Sequence, residues 1–336
     1  VRGSSKNIIP AIHLQIRDNV LQKSSLSGVA ESRSSWAQGL DLPRQAEYVF
    51  FAACGYQHMR FVEGMTGALR YAGKMGVSLG QVRGITKVLG KAGADLASMT
   101  SRMMASKEDP YSPVLVSCIS VLRKLGVEVG YLQEDEPCCG SPLYYAGFEK
   151  EFSELAGRNN EIFKKNGLKK IIGLVPGCTS ALRNLYPRYV RDYDIEVEHV
   201  LQVIDRRLKQ VGLKPRIQEE TRAVYHDPCQ LSRHLEITEE PRRILNSIEG
   251  LQMLELDPER SGRWSTCCGG GGLEGSHPEL AERIGQRRIE ELLATGASVI
   301  LTNCPACQMQ LKKAARKANS KAEVADIIQF LDQALT

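Results

Sequence analysis

No stretch of this chain approaches the roughly 18 consecutive apolar residues that a membrane-spanning helix requires, so no transmembrane segment is expected. Dense Lys/Arg blocks are missing as well. The net charge of +5 is spread thinly over 336 residues, which argues against nucleic acid as a partner. The first residues show no signal-peptide pattern, and the expected location is cytoplasmic. In that reducing setting ten cysteines do not read as a disulfide framework. The glycine run formally satisfies G-x-G-x-x-G from Gly270 to Gly275. Trp264 to Cys268, not an apolar strand, precedes it, and no Gly-Lys-Ser/Thr follows, which excludes a dinucleotide fingerprint and a P-loop. Glycines placed there instead let the backbone come close to a bound group and aim N–H donors at it.

What the chain does have is thiols at recurring places. Cys229, the adjacent pair Cys267-Cys268, and Cys304-Pro305-Ala306-Cys307 put five within about 80 residues. Thiolates are the soft ligands that iron–sulfur clusters and zinc select. Neighbouring side chains do not easily share one metal ion without strain, but they readily reach two irons of one cluster. Five thiols also exceed the four of a tetrahedral zinc or a cubane cluster. An unusual cluster is the reading, with a bare zinc site or reactive thiols as alternatives.

The surrounding residues extend the pattern: Tyr225-His226-Asp227-Pro228-Cys229, Glu240-Pro241-Arg242, Cys267-Cys268-Gly269-Gly270 and Thr302-Asn303-Cys304-Pro305. Together they resemble the CCG-domain family of the B-type and D-type heterodisulfide reductase components, related to the iron–sulfur subunits of glycolate and lactate oxidases. The resemblance implies a non-cubane 4Fe–4S cluster bound by Cys229, Cys267, Cys268, Cys304 and Cys307. Residues 19–43, with Arg33 and Trp36, resemble the connector that follows a ferredoxin-like domain in longer family members. The C-x-x-C-x-x-C runs of such a domain and any flavin motif are absent. Electrons are therefore expected to pass through a ferredoxin-type iron–sulfur subunit and a flavoprotein subunit of a hetero-oligomeric complex.

This length fits two domain-like units. Residues 1–45 read as a helical arm, with Ile8, Ile12, Ile16 and Val20 at helical spacing. Residues 46–205 and 221–336 read as two halves. In the first, 46–53 is a β-prone run ending at Cys54, and 114–124 is a helix with Cys118 in the core. A strand at 127–132 leads to Cys138-Cys139; a helix at 146–165 and a strand at 170–175 precede Cys178. Glu134-Asp135-Glu136 reads as a solvated loop. Residues 56–112 hold six of the eight methionines and no cysteine, which fits a helical insertion that packs on the sheet or docks a partner. The second half opens with a strand at 222–226 before Cys229 and has another at 299–303 before Cys304.

The halves repeat. Cys54, Cys138-Cys139 and Cys178 match Cys229, Cys267-Cys268 and Cys304, and Ala181 then falls where the second half has Cys307. Four thiols suit a cubane 4Fe–4S, a 2Fe–2S or a zinc ion. Strands that end at ligands and alternate with helices give parallel sheets with their sites at the strand carboxyl ends. The expected fold class is α/β: two pseudo-symmetric Rossmann-like halves with parallel sheets, plus the N-terminal helical arm and a helical insertion in the first half.

For activity, the resemblance implies an oxidoreductase subunit, active within a complex, that works on a disulfide or thiol substrate, as in heterodisulfide reductase-like complexes including those of sulfur oxidisers. His226 and His234, flanking Cys229, are the candidate catalytic proton donors because histidine titrates near neutrality. The second half is expected to bind the disulfide and the four-thiol first half to relay electrons or hold structure. Two other readings stand beside this one: an electron-relay subunit of a glycolate- or lactate-type oxidase, and a non-catalytic zinc scaffold.

Overall fold

The computed structural model describes residues 9–29, 33–75, 99 and 102–335. Residues 76–98 and 100–101 of the expected insertion lie outside them. Eight described strands form two four-stranded sheets in which every pairing is parallel. The first contains β1 (Tyr48–Phe51), β2 (Val129–Gly130), β3 (Lys170–Gly173) and β4 (Glu196–His199), in the order β2-β1-β3-β4. The second contains β5 (Arg216–Tyr225), β6 (Glu249–Leu254), β7 (Val299–Thr302) and β8 (Glu323–Asp326), in the order β6-β5-β7-β8. The inner strands are apolar runs because helices cover both faces. Phe50, Ile172 and Ile300 are fully buried there. Strand order reverses between β1 and β3 and again between β5 and β7. In such sheets the crevice at the reversal, beyond the carboxyl ends, is where ligands bind. The α/β class and the two parallel sheets follow the expectation.

Strand register fixes which residues of the two halves correspond. Gly173 pairs with His199, and Thr302 with Asp326. His199 and Asp326 each cap the following helix by accepting the N–H two residues on, from Leu201 and Ile328. Gly173 and Thr302 are therefore equivalent, and Val175-Pro176-Gly177-Cys178 overlays Cys304-Pro305-Ala306-Cys307. This corrects the repeat expected from the order of the cysteines. Cys178 is the counterpart of Cys307, and the residue standing in place of Cys304 is Val175. Ala181 instead matches Gln310. The interval after the cysteine pair agrees, since 38 residues separate Cys139 from Cys178 and Cys268 from Cys307, and the strand end and the proline opening each helix decide it.

The halves are built into one another about a pseudo-two-fold. Helix Ile327–Ala334, after β8, packs on helix Pro113–Lys124, before β2; helix Val200–Val211, after β4, packs on helix Glu239–Asn246, before β6. Helix Pro305–Lys317 likewise lies on helix Ala53–Lys74, and helix Pro176–Ser180 on the turn Gln230–His234. One apolar core runs through both sheets. Gly55 sits where a Cβ would meet Pro305 Cγ at 3.1 Å, so the first-half strand end touches the second-half ligand turn directly. Helix Ala11–Lys23 buries Ile12, Ile16 and Val20 of the expected stripe, whose Ile8 lies outside the described residues, against helices Ser141–Tyr145 and Leu273–Ser276. No described helix is long and apolar enough to cross a membrane.

Candidate metal centre

The chain ends of β5, β6 and β7 bring the second-half thiols into one line. Cys229 meets Cys267, Cys267 meets Cys268, Cys268 Sγ lies 3.2 Å from Cys307 Sγ, and Cys307 meets Cys304. Cys304 is extended and precedes a helix with Pro305 at its first position. The N–H groups of Ala306 and Cys307, which have no partner within that helix's first turn, turn to the Cys304 sulfur. Gly269 N–H and Gly270 N–H donate to the sulfurs of Cys267 and Cys268, each at 3.3 Å. Gly269 has φ +84°, and a Cβ there would stand 2.3 Å from Ala281 O, so this turn requires glycine. Gln310 Nε2 donates to Gly269 O at 3.1 Å and pins it.

The electrostatics follow from those donors. Cys267 is held below the ordinary thiol range because the thiols of Cys229 and Cys268 donate to it, with Gly269 N–H adding to them. Cys304 is lowered by the Cys307 thiol and by the helix-start N–H groups. Cys229 and Cys307 are pushed up, since each donates to a neighbouring sulfur in a dry site. Five adjoining free thiols, two of them shifted towards the thiolate and met by N–H groups, fit a polynuclear iron–sulfur group better than a single four-coordinate ion.

The two candidate histidines are placed very differently. His226 is buried, accepts from Arg288 Nε at Nδ1 (3.0 Å), and has a ring nitrogen within 4.8 Å of the sulfurs of Cys268 and Cys307. Burial, and then the charge of Arg288, push its pKa well down. His234 is exposed at the seam between halves, edge-on to Tyr145 at 5.9 Å. Asp227 takes a two-pronged ion pair from Arg242 (2.8 and 3.0 Å), which fixes the backbone entering Cys229.

In the first half Cys54, Cys138, Cys139 and Cys178 are all buried and adjoin in that order. This is the line Cys229, Cys267, Cys268 and Cys307 without the fifth member, as the register at Val175 requires. All four thiols are raised; Cys138 is pushed up to about 12, first by its bond to Cys139. Glu136 is not part of a solvated loop. It is buried, pairs with Arg33 at 2.8 Å, and accepts from the N–H groups of Ala52 (2.7 Å) and Ala53 (3.0 Å). Burial pushes its carboxyl up to about 7 against the pull of Arg33. Arg33 also donates to Ser24 O, Cys138 N–H donates to Ser24 Oγ, and Leu26 N–H reaches the Cys54 sulfur. The arm thereby closes over the first-half thiols. Sequence reasoning missed this pair because an acidic tripeptide reads as solvated whenever its partner is about a hundred residues away.

Between the two thiol sets lies a cavity of about 400 Å³. Cys54, Cys139 and Cys178 reach it from one side and Cys304 from the other. Ile12, Ile16, Met59 and Val62 give it apolar walls, and no described Lys or Arg borders it.

The sequence matches the profile of the cysteine-rich CCG domain over residues 100–183 and 223–312. It is 34% identical over 220 residues to the D-type component of a dihydromethanophenazine:CoB–CoM heterodisulfide reductase from Methanosarcina acetivorans, covering 64% of this chain and 53% of that one. It is 34% identical over 221 residues to the B-type component of a fumarate reductase (CoM/CoB) from Methanothermobacter marburgensis, covering 65% and 42%. An EtfAB:quinone oxidoreductase of Syntrophomonas wolfei is 32% identical over 240 residues, covering 68% and 33%. The chain thus spans about a third to a half of the length of these relatives.

Proposed function

This chain belongs to the family of the cysteine-rich CCG domain, and from that premise we propose that it is the iron–sulfur oxidoreductase subunit of a cytoplasmic heterodisulfide reductase-like complex. In this reading Cys229, Cys267, Cys268, Cys304 and Cys307 hold a non-cubane 4Fe–4S cluster. Cys54, Cys138, Cys139 and Cys178 hold a second group, a cubane 4Fe–4S, a 2Fe–2S or zinc. The observation that carries it is the unbroken line of five thiols, met by backbone N–H groups, with Cys304 opening on an apolar cavity. The names of the relatives support redox chemistry of this kind.

A bound cluster would supply electrons one at a time and an iron able to take up sulfur. Reduction of a disulfide takes two electrons and two protons and yields two thiols. The apolar walls at Ile12, Ile16, Met59 and Val62 exclude water and favour uncharged sulfur groups. His234, beside Tyr145 of the cavity wall, is the candidate histidine placed to exchange protons with solvent. Electrons would arrive or leave through a ferredoxin-type subunit and a flavoprotein. Exposed Met75, Met99, Met103 and Met104 on the segment after Cys54 support docking of such a subunit there.

Iron, zinc and acid-labile sulfide are the quantities to measure after anaerobic purification. About four irons with matching sulfide from the second half are expected, beyond whatever the first half holds. Zinc without sulfide would overturn the proposal. A cluster-loaded chain whose spectra ignore every added thiol and disulfide would favour the electron-relay reading.

A further inference from the structure

Arg288 is an arginine with no exposed side-chain surface. Four of its guanidinium's five N–H groups are engaged: Nε donates to His226 Nδ1 (3.0 Å), Nη1 to Glu291 Oε2 and Arg260 O (both 3.0 Å), and Nη2 to Ser265 Oγ (3.1 Å). Such a group is costly to bury and must be held for a reason. An arginine Nε always carries hydrogen, so His226 Nδ1 must be the acceptor and its proton must sit on Nε2. That Nε2 is buried without a hydrogen-bond partner among the described residues. A nitrogen of this ring lies within 4.8 Å of the sulfurs of Cys268 and Cys307.

We propose that His226 is a fixed neutral hydrogen-bond donor, through Nε2–H, to thiolate sulfur of the second-half cluster, and that Arg288 is the positioning residue that sets its tautomer. The inference rests on the cluster reading above. It separates His226 from the ligands: a nitrogen that carries hydrogen has no lone pair to give iron. It also separates the halves. Pairing of β1 with β3 and of β5 with β7 makes Phe51, a buried apolar ring with no hydrogen to donate, the counterpart of His226. A donor to cluster sulfur stabilises the more negative, reduced state. His226 thus raises the potential of the second-half cluster.

The test is pulsed EPR and redox titration of the complete chain with its clusters. The second-half signal is identified as the one lost in Cys268→Ser. In the unaltered protein labelled with 15N at histidine alone, this signal should show a weakly coupled 15N, which the backbone N–H groups of Gly269 and Gly270 cannot supply. A strongly coupled label, as from a bound imidazole, or no coupling to the label at all, would overturn the assignment without any variant having to fold. His226→Gln, which keeps an acceptor for Arg288 and a donor for sulfur, should stay near the original midpoint potential. His226→Leu should lower it while leaving the first-half signal and the iron content alone. Equal shifts in both variants, or none in either, would refute the donor role. Absence of iron and sulfide from the unaltered chain would instead fail the cluster reading itself.

Discussion

Replacing Tyr56 by Phe probes the tie between the halves. Tyr56 stands two residues after Cys54, fully buried, and its hydroxyl donates to Asp326 Oδ2 at the end of β8. Asp326 is also fully buried, and its other oxygen accepts from Ile328 N–H (2.9 Å) and, at longer range, from Asn303 (3.5 Å). Burial pushes the Asp326 carboxyl up from 3.8 to about 6, despite these donors. A folded-state value above the unfolded one means that the folded chain keeps a proton the unfolded chain has released. The native state therefore loses stability as pH climbs from about 4 to about 6, by roughly 3 kcal/mol. Above pH 6 Asp326 is charged, and removing the Tyr56 hydroxyl leaves that charge short of a donor, at a cost of about 1–3 kcal/mol. With an unfolding entropy of about 2.1 cal/mol/K per residue, the 336 residues translate this into a fall in Tm of roughly 1.5–4 °C. At pH 5 the carboxyl is mostly protonated and the fall should shrink to about half or less. Calorimetry on Tyr56→Phe and the unaltered protein at pH 5 and 8, with equal metal loading, measures both. An equal fall at the two pH values, or none at pH 8, would refute the reasoning.

Cys268→Ser should remove about four irons per chain, measured by metal analysis, because Cys268 sits mid-line between Cys267 and Cys307. Gly269→Ala should also lower second-half iron and cost at least about 1–2 kcal/mol in thermal unfolding, since it forces an L residue to positive φ against a backbone oxygen. Val175→Cys rebuilds Cys-Pro-x-Cys in the first half. In a Cys268→Ser background its EPR signal should come to resemble the second-half signal, whereas Ala181→Cys should leave the spectrum as it was. The reverse outcome would show the register assigned to the two halves to be wrong.

Much of this architecture was legible because ligands mark strand ends. The runs before Cys54, Cys178, Cys229 and Cys304 are short and apolar, and each became an inner strand. The boundaries were less so: the helix expected from 146 begins at Glu149, and β5 starts six residues before the run read from 222. Edge strands β4 and β8 were not legible, since Glu196–His199 and Glu323–Asp326 are four residues long with alternating exposure and no apolar run. Six-residue β6 escaped because none of its residues is buried and Gln252 breaks its apolar run. In the site, the five thiols announce themselves by spacing. The groups that hold them do not, because Arg33 with Glu136, Arg288 with His226 and Tyr56 with Asp326 are joined only by folding. His226 shows the limit clearly. Its intrinsic pKa suggested a titrating donor, but the tautomer depends on an arginine 62 residues further on.

The reciprocal packing of the halves also has a genetic meaning. Each ligand-bearing turn is braced by the other half: Cys54 and its neighbour Gly55 by Pro305, and Cys178 by the turn after Cys229. Two copies of a single half could make the same contacts only as a homodimer, where one gene dictates both sites and every substitution appears twice. Joined in one polypeptide, the copies are released from that identity. One can carry Val175 where the other keeps Cys304, Phe51 where the other has His226, and His199 where the other has Asp326, while the shared interface still holds both in place. Carrying both halves on one polypeptide keeps two unequal sites facing each other across one cavity in a fixed one-to-one ratio.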